Sequence, residues 1–374
     1  MNYHVIRDPR VVREVFNRPV EFSSANALLA VTPLTAASLR VLERVDFALP
    51  AVLASNDGES HHGIRRVVSA YFTPAVVAGL EGRIRELVRA ALTTARERLA
   101  ADGSVDLVSA VAAEPPVVLM FEMLGLPVRD IQQLKVWSRE SLELFWGWPD
   151  DDRQLHLARD AAEFYLWLRA FVAESIASPQ RNLFASLAEH GLSDAQMCSL
   201  GYFLLIAGQE TTSQLISTTM FRVLDGSVGT PWAELESRQA ATAAVRHVLA
   251  TNSPGPTARR VAAVDVTVGG ETIPAGAEVL LELTGNHAPG ANGTAYSIAF
   301  GSGIHRCLGA RLSELEATVT VQEAARVLPD IQLLDRAPIW TELLSFRSPQ
   351  SVTVGARREQ EFAGAARRHS AHVD

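Results

Sequence analysis

Between Thr73 and about Leu205 apolar positions recur at steps of three and four, as in Ile84, Leu87, Val88 and Leu92, within a background rich in Ala, Arg and Glu. That period predicts amphipathic helices, each turning one face to a core. Prolines at positions 74, 115, 116, 127, 149 and 179 cut the run into helices of ordinary length. Proline lacks the N–H and crowds the preceding turn, so it starts or ends helices and does not continue them.

From Arg260 to Leu283 the period changes. β-Branched residues alternate around Gly269-Gly270 and Pro274-Ala275-Gly276, which predicts a short twisted hairpin or small sheet. Helical spacing returns from Ala310 to Val327, and the charged, Ala-rich residues 356–374 read as a disordered tail. The chain is therefore expected to be mainly α with a minor β part. With 374 residues, 48% of them hydrophobic, it can bury one large core, and residues 1–374 are read as a single domain.

Charge and cysteine usage remove several function classes. A net charge of −8 and a pI near 5.7 disfavour binding to nucleic acid or to an anionic membrane, both of which attract basic surfaces. Two cysteines, Cys198 and Cys307, provide neither a disulfide framework nor a cluster of zinc thiolates. The first residues carry Arg7, Asp8 and Arg10 in place of an apolar signal core, and the apolar run Tyr202 to Ala207 is too short to span a bilayer. A cytoplasmic, monomeric protein acting on a small molecule is the expectation.

One segment carries specific chemistry: Phe300-Gly301-Ser302-Gly303-Ile304-His305-Arg306-Cys307-Leu308-Gly309, followed at once by a helix. A cysteine at a helix start sits near unpaired backbone N–H groups and the positive end of the helix dipole, which favour the metal-binding thiolate. Glycines 301, 303 and 309 permit close backbone approach, as a loop pressed against a flat cofactor requires.

This segment resembles the haem-binding signature of the cytochrome P450 family, F-G-x-G-x-H-x-C-x-G, at every specified position. The resemblance implies the cytochrome P450 fold, haem b as cofactor, Cys307 as the iron's thiolate ligand, His305 on a haem propionate, and Phe300 against the proximal face beside Gly309.

A second match, Ala207-Gly208-Gln209-Glu210-Thr211-Thr212, resembles the family's central-helix motif A-G-x-E-T-T. In that reading Ala207 and Gly208 leave room for dioxygen. Thr211 supplies a hydroxyl whose bond to a backbone carbonyl opens the helix ladder to water, and Glu210 links the site to solvent as the acidic member of a proton relay.

A third, His61-His62-Gly63-Ile64-Arg65-Arg66 followed by Phe72-Thr73-Pro74, resembles H-x-x-x-R-R … F-T-P. Residues four apart share a helix face, so His61 and Arg65 reach one propionate, while Arg260 resembles the arginine that meets the other.

The chain also departs from the family. Its E-x-x-R helix carries His247 and Ala250 in the two specified positions, and Glu86 and Arg89 spell the motif far upstream, in the wrong element. Residues Asn286 to Tyr296 replace a longer stretch ahead of the haem-binding loop. Losing a buried ion network as a whole leaves no unpaired charge, so a replaced core is expected there. The chain begins late relative to the family, which implies that part of a substrate-side sheet is absent. Phe145-Trp146-Gly147-Trp148 and Leu28-Leu29-Ala30-Val31 are assigned to core packing in preference to pocket lining.

The activity implied is oxidation of a small organic substrate, by hydroxylation or oxidative coupling, in specialised metabolism. It would use O2 and electrons from a ferredoxin-type partner meeting Arg306 and Arg311. The rival implied by the same family is a catalytically silent auxiliary protein that activates a partner enzyme such as a glycosyltransferase. Retention of Cys307, Glu210 and Thr211 favours the enzyme.

Overall fold

The computed structural model describes residues 3–284 and 295–357. The shortened stretch ahead of the haem-binding loop falls mostly on residues 285–294, and so lies outside the described residues.

Twelve α-helices form the bulk of the described chain. Near its beginning come α1 (Pro9–Phe16), α2 (Ala36–Glu43), α3 (Ser60–Ser69) and α4 (Pro74–Gly79). The long helical region follows as α5 (Glu81–Asp102), α6 (Pro115–Met123), α7 (Ile131–Trp146), α8 (Asp151–Ala177), α9 (Leu183–Glu189) and α10 (Asp194–Leu224). The last two are α11 (Arg238–Asn252) and α12 (Ala310–Val327). The prolines act as the sequence predicts. Pro74 and Pro115 open α4 and α6, where a missing N–H leaves nothing unbonded.

Helix α10 differs from the others. It is buried on nearly every face, Gln209, Glu210 and Gln214 included, and packs against two of the three core clusters, one built on α7 and α8 and one on α5, α11 and α12. A helix enclosed in this way must find partners for its polar side chains within the protein. Its start is set by a reciprocal cap, in which Gln196 N–H donates to Ser193 Oγ (3.4 Å) and Ser193 N–H donates to Gln196 Oε1 (3.0 Å).

The strands are short: β1 (His4–Ile6), β2 (Phe22–Ser23), β3 (Ser104–Asp106), β4 (Thr257–Ala262), β5 (Val266–Val268), β6 (Glu271–Ile273), β7 (Glu278–Glu282), β8 (Ile331–Leu333), β9 (Trp340–Glu342), β10 (Arg347–Pro349) and β11 (Thr353–Ala356). The main sheet runs β1-β7-β4-β2, with β1 parallel to β7 and the other pairs antiparallel. The expected hairpin is present as β5 and β6, joined by Gly269 and Gly270 at φ of 60° and 84°. Two successive positive φ angles match the twist of the strands and favour glycine.

The first described residues supply β1 and β2 to the main sheet. The tail begins later than position 356: Ala356 pairs with Ile331 in β11, and Arg357 N–H donates to Asp330 O. Residues 358–374 lie outside the described part. No helix among the described residues is long and apolar enough to cross a membrane.

Candidate functional site

Along α10 the buried pattern is interrupted at Leu204, Ala207, Gly208 and Thr211, which keep accessible surface. Their spacing places them on one face. That face borders a cavity of about 450 Å³, which also receives the Cys307 loop, β4 and the end of α7.

The loop before α12 is shaped by backbone contacts. Cys307 N–H donates to Phe300 O (2.8 Å) and Arg306 N–H to Gly303 O (3.2 Å). Gly301 and Gly303 have φ of 69° and 66°. A Cβ on Gly303 would stand 2.3 Å from Phe16 O, so that glycine is demanded by α1 and not by a cofactor surface. Gly309 has an ordinary φ of −81°, and a Cβ there would make only normal contacts with Phe72 and Cys307. Gly301 and Gly309 line the cavity, whereas Gly303 is packed against α1.

Cys307 and Phe300 both line the cavity. Cys307 keeps accessible surface where it lines that space. Burial pushes the thiol above its ordinary pKa, although the N–H groups of Gly309 and Ala310 and the charges of Arg65 and Arg306 pull the other way. The helix start therefore does not by itself yield a thiolate. A cation bound at the sulfur would supply the missing stabilisation and release the proton.

Around the loop, several cationic and imidazole groups lack a counter-charge. Arg260 is 5% exposed, lies 4.9 Å over the Phe16 ring, and donates to the carbonyl of Arg259 (2.7 Å). Among the described residues it has no carboxylate at ion-pair distance, and burial lowers its pKa to about 10. Arg65 is half-buried and donates to Arg306 O. His61 is fully buried, with neither ring nitrogen hydrogen-bonded. Burial, followed by the charges of His305 and Arg65, lowers its pKa to about 4.

Buried cations and imidazoles without acceptors are costly unless an anion arrives. Two propionate carboxylates beside a thiol suit this set, so the residues present fit haem b.

The His305 ring lies 4.9 Å from that of His61, and its Nε2 is 2.8 Å from Asp57 Oδ1 and 3.2 Å from Ser24 Oγ. That nitrogen is engaged by protein, while the residue lines the cavity. Burial opposes ionisation of Asp57, yet hydrogen bonds from His305, Ser23 and Ser24 outweigh it and hold the carboxyl below its ordinary value. Sequence reasoning missed Asp57, which belongs to no motif and lies 248 positions from its partner.

The central-helix residues are corrected in two ways. Thr211 Oγ1 does donate to Ala207 O (2.7 Å), but α10 stays helical throughout, because the carbonyl accepts the hydroxyl without surrendering its N–H partner. At Gly208, which lines the cavity with Ala207, a Cβ would also lie 2.0 Å from Met120 Sδ on α6. Glu210 is buried and does not reach solvent. Its Oε1 lies 2.5 Å from Lys135 Nζ on α7, close in distance though not aligned as a hydrogen bond.

Lys135 also donates to Gln209 Oε1 (2.8 Å), and Gln209 Nε2 to Ser138 Oγ (2.7 Å). A signal for Lys135 was present in the sequence: it lies between Leu134 and Trp137, seven positions before Leu142, on the apolar stripe of α7. A lysine on such a stripe needs a buried counter-charge.

Lys135→Met is expected to destabilise the protein by roughly 3 to 5 kcal/mol, since it strands a buried carboxylate, and Lys135→Met with Glu210→Gln to recover most of that loss. Denaturant titration of both proteins checks this. Equal stability of the single and double variants contradicts it.

At the departed helix, α11 turns Ala241, Ala244, Val245, Val248 and Leu249 inward, while His247 is exposed. The expected replaced core is thus apolar, and the nearby charge pair, Arg246 Nε to Glu314 Oε1 (2.6 Å), is largely at the surface. Arg306 and Arg311 are both exposed. The core assignment of the two segments holds in part: Phe145, Trp146 and Val31 are buried, Trp146 and Leu28 also line the cavity, and Trp148 and Leu29 are exposed.

No family model matches the chain. It is 30% identical over 343 residues to erythromycin C-12 hydroxylase of Saccharopolyspora erythraea, covering 86% of this chain and 83% of that protein. It is 28% identical over 380 residues to cytochrome P450 monooxygenase PikC of Streptomyces venezuelae, covering 96% and 83%. Among solved structures it superposes on cytochrome P450 CREJ in complex with (4-ethylphenyl) dihydrogen phosphate, at a TM-score of 0.87 and 29% identity over 95% of this chain and 92% of that one.

Proposed function

Because the chain belongs to the cytochrome P450 family, oxidoreductases with haem b, a small-molecule substrate, dioxygen and a redox partner, we propose that it hydroxylates or oxidatively couples a small organic substrate in specialised metabolism. Haem b bound in the cavity supplies reductive activation of dioxygen, so that hydroxylation consumes substrate, O2, two electrons and two protons, and yields alcohol and water.

The observation that carries this reading is the meeting of one cavity-facing cysteine, arginines without a carboxylate partner and the open stripe of α10 around a single space. Cys307 Sγ would ligate the iron, held by the Gly309 and Ala310 N–H groups. Phe300 would lie beside it. Arg65, Arg260 and the single N–H of the neutral His61 ring would bind the propionates, while His305 braces Asp57 and the His61 ring. Thr211 Oγ1 would hold and pass protons from the cavity side of α10, with Glu210 behind it on Lys135.

The exposed Arg306 and Arg311 suit a ferredoxin-type donor of acidic surface. The activities for which the two relatives are named, hydroxylation and monooxygenation, support the reaction class. We place the protein in the cytoplasm as a monomer.

Reconstitution with haemin tests the proposal. The reduced protein under carbon monoxide is expected to show a thiolate-type Soret band. A polypeptide that takes up no haemin overturns the proposal in favour of the auxiliary, partner-binding role. Arg260→Ala is expected to weaken haemin binding by about tenfold or more, as loss of a charge-assisted hydrogen bond implies. Unchanged affinity in a haemin titration refutes the propionate role of Arg260.

A further inference from the structure

We propose that Glu140 of α7, with His156 and Asp160 of α8, forms a zinc site that ties the two helices together. None of the three residues lines the Cys307 cavity, so the site is independent of the haem-thiolate reading.

Helices α7 and α8 are joined by residues 147–150 and pack against each other as a hairpin. On α8, His156 and Asp160 stand four positions apart and therefore share a face. That face meets Glu140 of α7. His156 Nε2 lies 3.3 Å from Asp160 Oδ2 and 3.6 Å from Glu140 Oε1, and one ligand atom from each residue falls within 4.8 Å of the other two.

These groups converge without satisfying one another. Asp160 Oδ2 and Glu140 Oε2 are both enclosed by protein, and neither has a hydrogen-bond partner. Buried carboxylate oxygens that lack a donor are costly. The nearest guanidinium is already engaged: Arg153 donates Nε and Nη2 to Glu143 (3.0 and 2.6 Å), and only its Nη1 turns towards Glu140 Oε1, at 3.8 Å. Burial, followed by the proximity of Asp160, pushes the Glu140 carboxyl above its ordinary range. A bound cation would remove both the exposed need for a donor and the repulsion between the two acids.

The distances and the ligand set select zinc. Bonds of about 2.0 to 2.2 Å in a tetrahedron hold ligand atoms roughly 3.3 to 3.6 Å apart, and the two imidazole distances match this spacing. An imidazole with two carboxylates suits zinc, whereas magnesium takes oxygen ligands in an octahedron and gives up its water reluctantly. His156 is exposed, which leaves the ion a route from solvent and lets water complete the fourth position. Because α7 ends at Trp146 beside the cavity, the tie would also steady the helix that supplies this wall.

The experiment is titration of the purified protein with zinc in competition with a chromogenic chelator, alongside His156→Ala and Asp160→Asn. The parent is expected to bind one zinc ion that each variant holds at least about tenfold more weakly, a scale on which metal affinity falls even when a supporting group is lost. Zinc held by Cys307 or by other exposed histidines such as His62 and His247 is common to all three proteins and cancels. Equal binding by the parent and His156→Ala overturns the proposal, as does a parent that takes up no zinc.

Thermal unfolding supplies the second readout. Zinc is expected to raise the midpoint of the parent relative to EDTA, because the folded helix pair alone presents the site. Glu140→Gln is expected to unfold at a higher temperature than the parent in EDTA, since it removes one of two facing charges, and to gain less from zinc. A role confined to packing would give no difference between zinc and EDTA in any of these proteins, and that result overturns the site. A rise with magnesium equal to that with zinc removes the imidazole from the ligand set and overturns the assignment.

Discussion

A Cys307→Ala protein is expected to fold as the parent does and to lose the thiolate-type Soret band of its reduced, carbon monoxide-treated form completely. Folding should survive because the sulfur borders a cavity and is not clamped in a core, so its removal leaves no new void. The loop's shape rests on backbone bonds, Cys307 N–H to Phe300 O and Arg306 N–H to Gly303 O, which alanine preserves. A stability change within about 1 kcal/mol is therefore expected, as for substitutions that open no cavity. The spectral loss should be total, because no second thiol lines the cavity: Cys198 is buried on α10, where burial pushes its thiol up to about 11. Far-ultraviolet circular dichroism and the carbon monoxide difference spectrum check the two halves. A persisting thiolate band would remove Cys307 from the iron.

The second large effect is expected at Thr211. Thr211→Ala should bind haemin and substrate within about twofold of the parent, yet its product formed per electron should fall by about tenfold or more, with hydrogen peroxide rising in compensation. General acid catalysis by one positioned group is typically worth 10²- to 10⁴-fold, about the scale needed for this loss. The hydroxyl is the polar group that α10 presents beside Ala207, and its bond to Ala207 O orients it.

Thr211→Ser should keep most of the coupling, since it keeps the oxygen at the same backbone position. That rescue separates a proton role from a packing role, for serine also loses the methyl group. Parallel measurement of reductant consumed, product and peroxide decides the matter, and an unaltered product yield per electron in Thr211→Ala removes the proposed role. The buried Glu210, paired with Lys135, stands behind Thr211 and not between it and solvent. Proton supply through this carboxylate then requires α7 to release it, which ties the acid to a helix whose last residue, Trp146, borders the cavity.

Much of the secondary structure is legible in the order of residues. The spacing of Ile84, Val88 and Leu92 marks the buried face of α5, and all three are fully enclosed. The change of period after Arg260 marks β4 to β7, and Gly269-Gly270 marks their inner turn. Trp146 and Leu28 escape such reasoning for a cause that generalises: an apolar side chain facing a cavity and one facing a core have the same chemistry, and only the surrounding atoms distinguish them. Gly208 is ambiguous in a similar way, because a missing Cβ leaves the same room for a gas molecule as for the sulfur of Met120.

Sequence alone determined the features whose physics is local. These are helices and strands set by side-chain period, helix starts set by proline and capping residues, and a cysteine held by a glycine-containing loop just ahead of α12. Tertiary structure decided which partner each buried polar group takes. Asp57 with His305, and Lys135 with Glu210, join residues 248 and 75 positions apart, and nothing in either neighbourhood encodes the other. It also brings opposing influences together at Cys307, where the Gly309 and Ala310 N–H groups and the Arg65 and Arg306 charges favour a thiolate while burial pushes the thiol up.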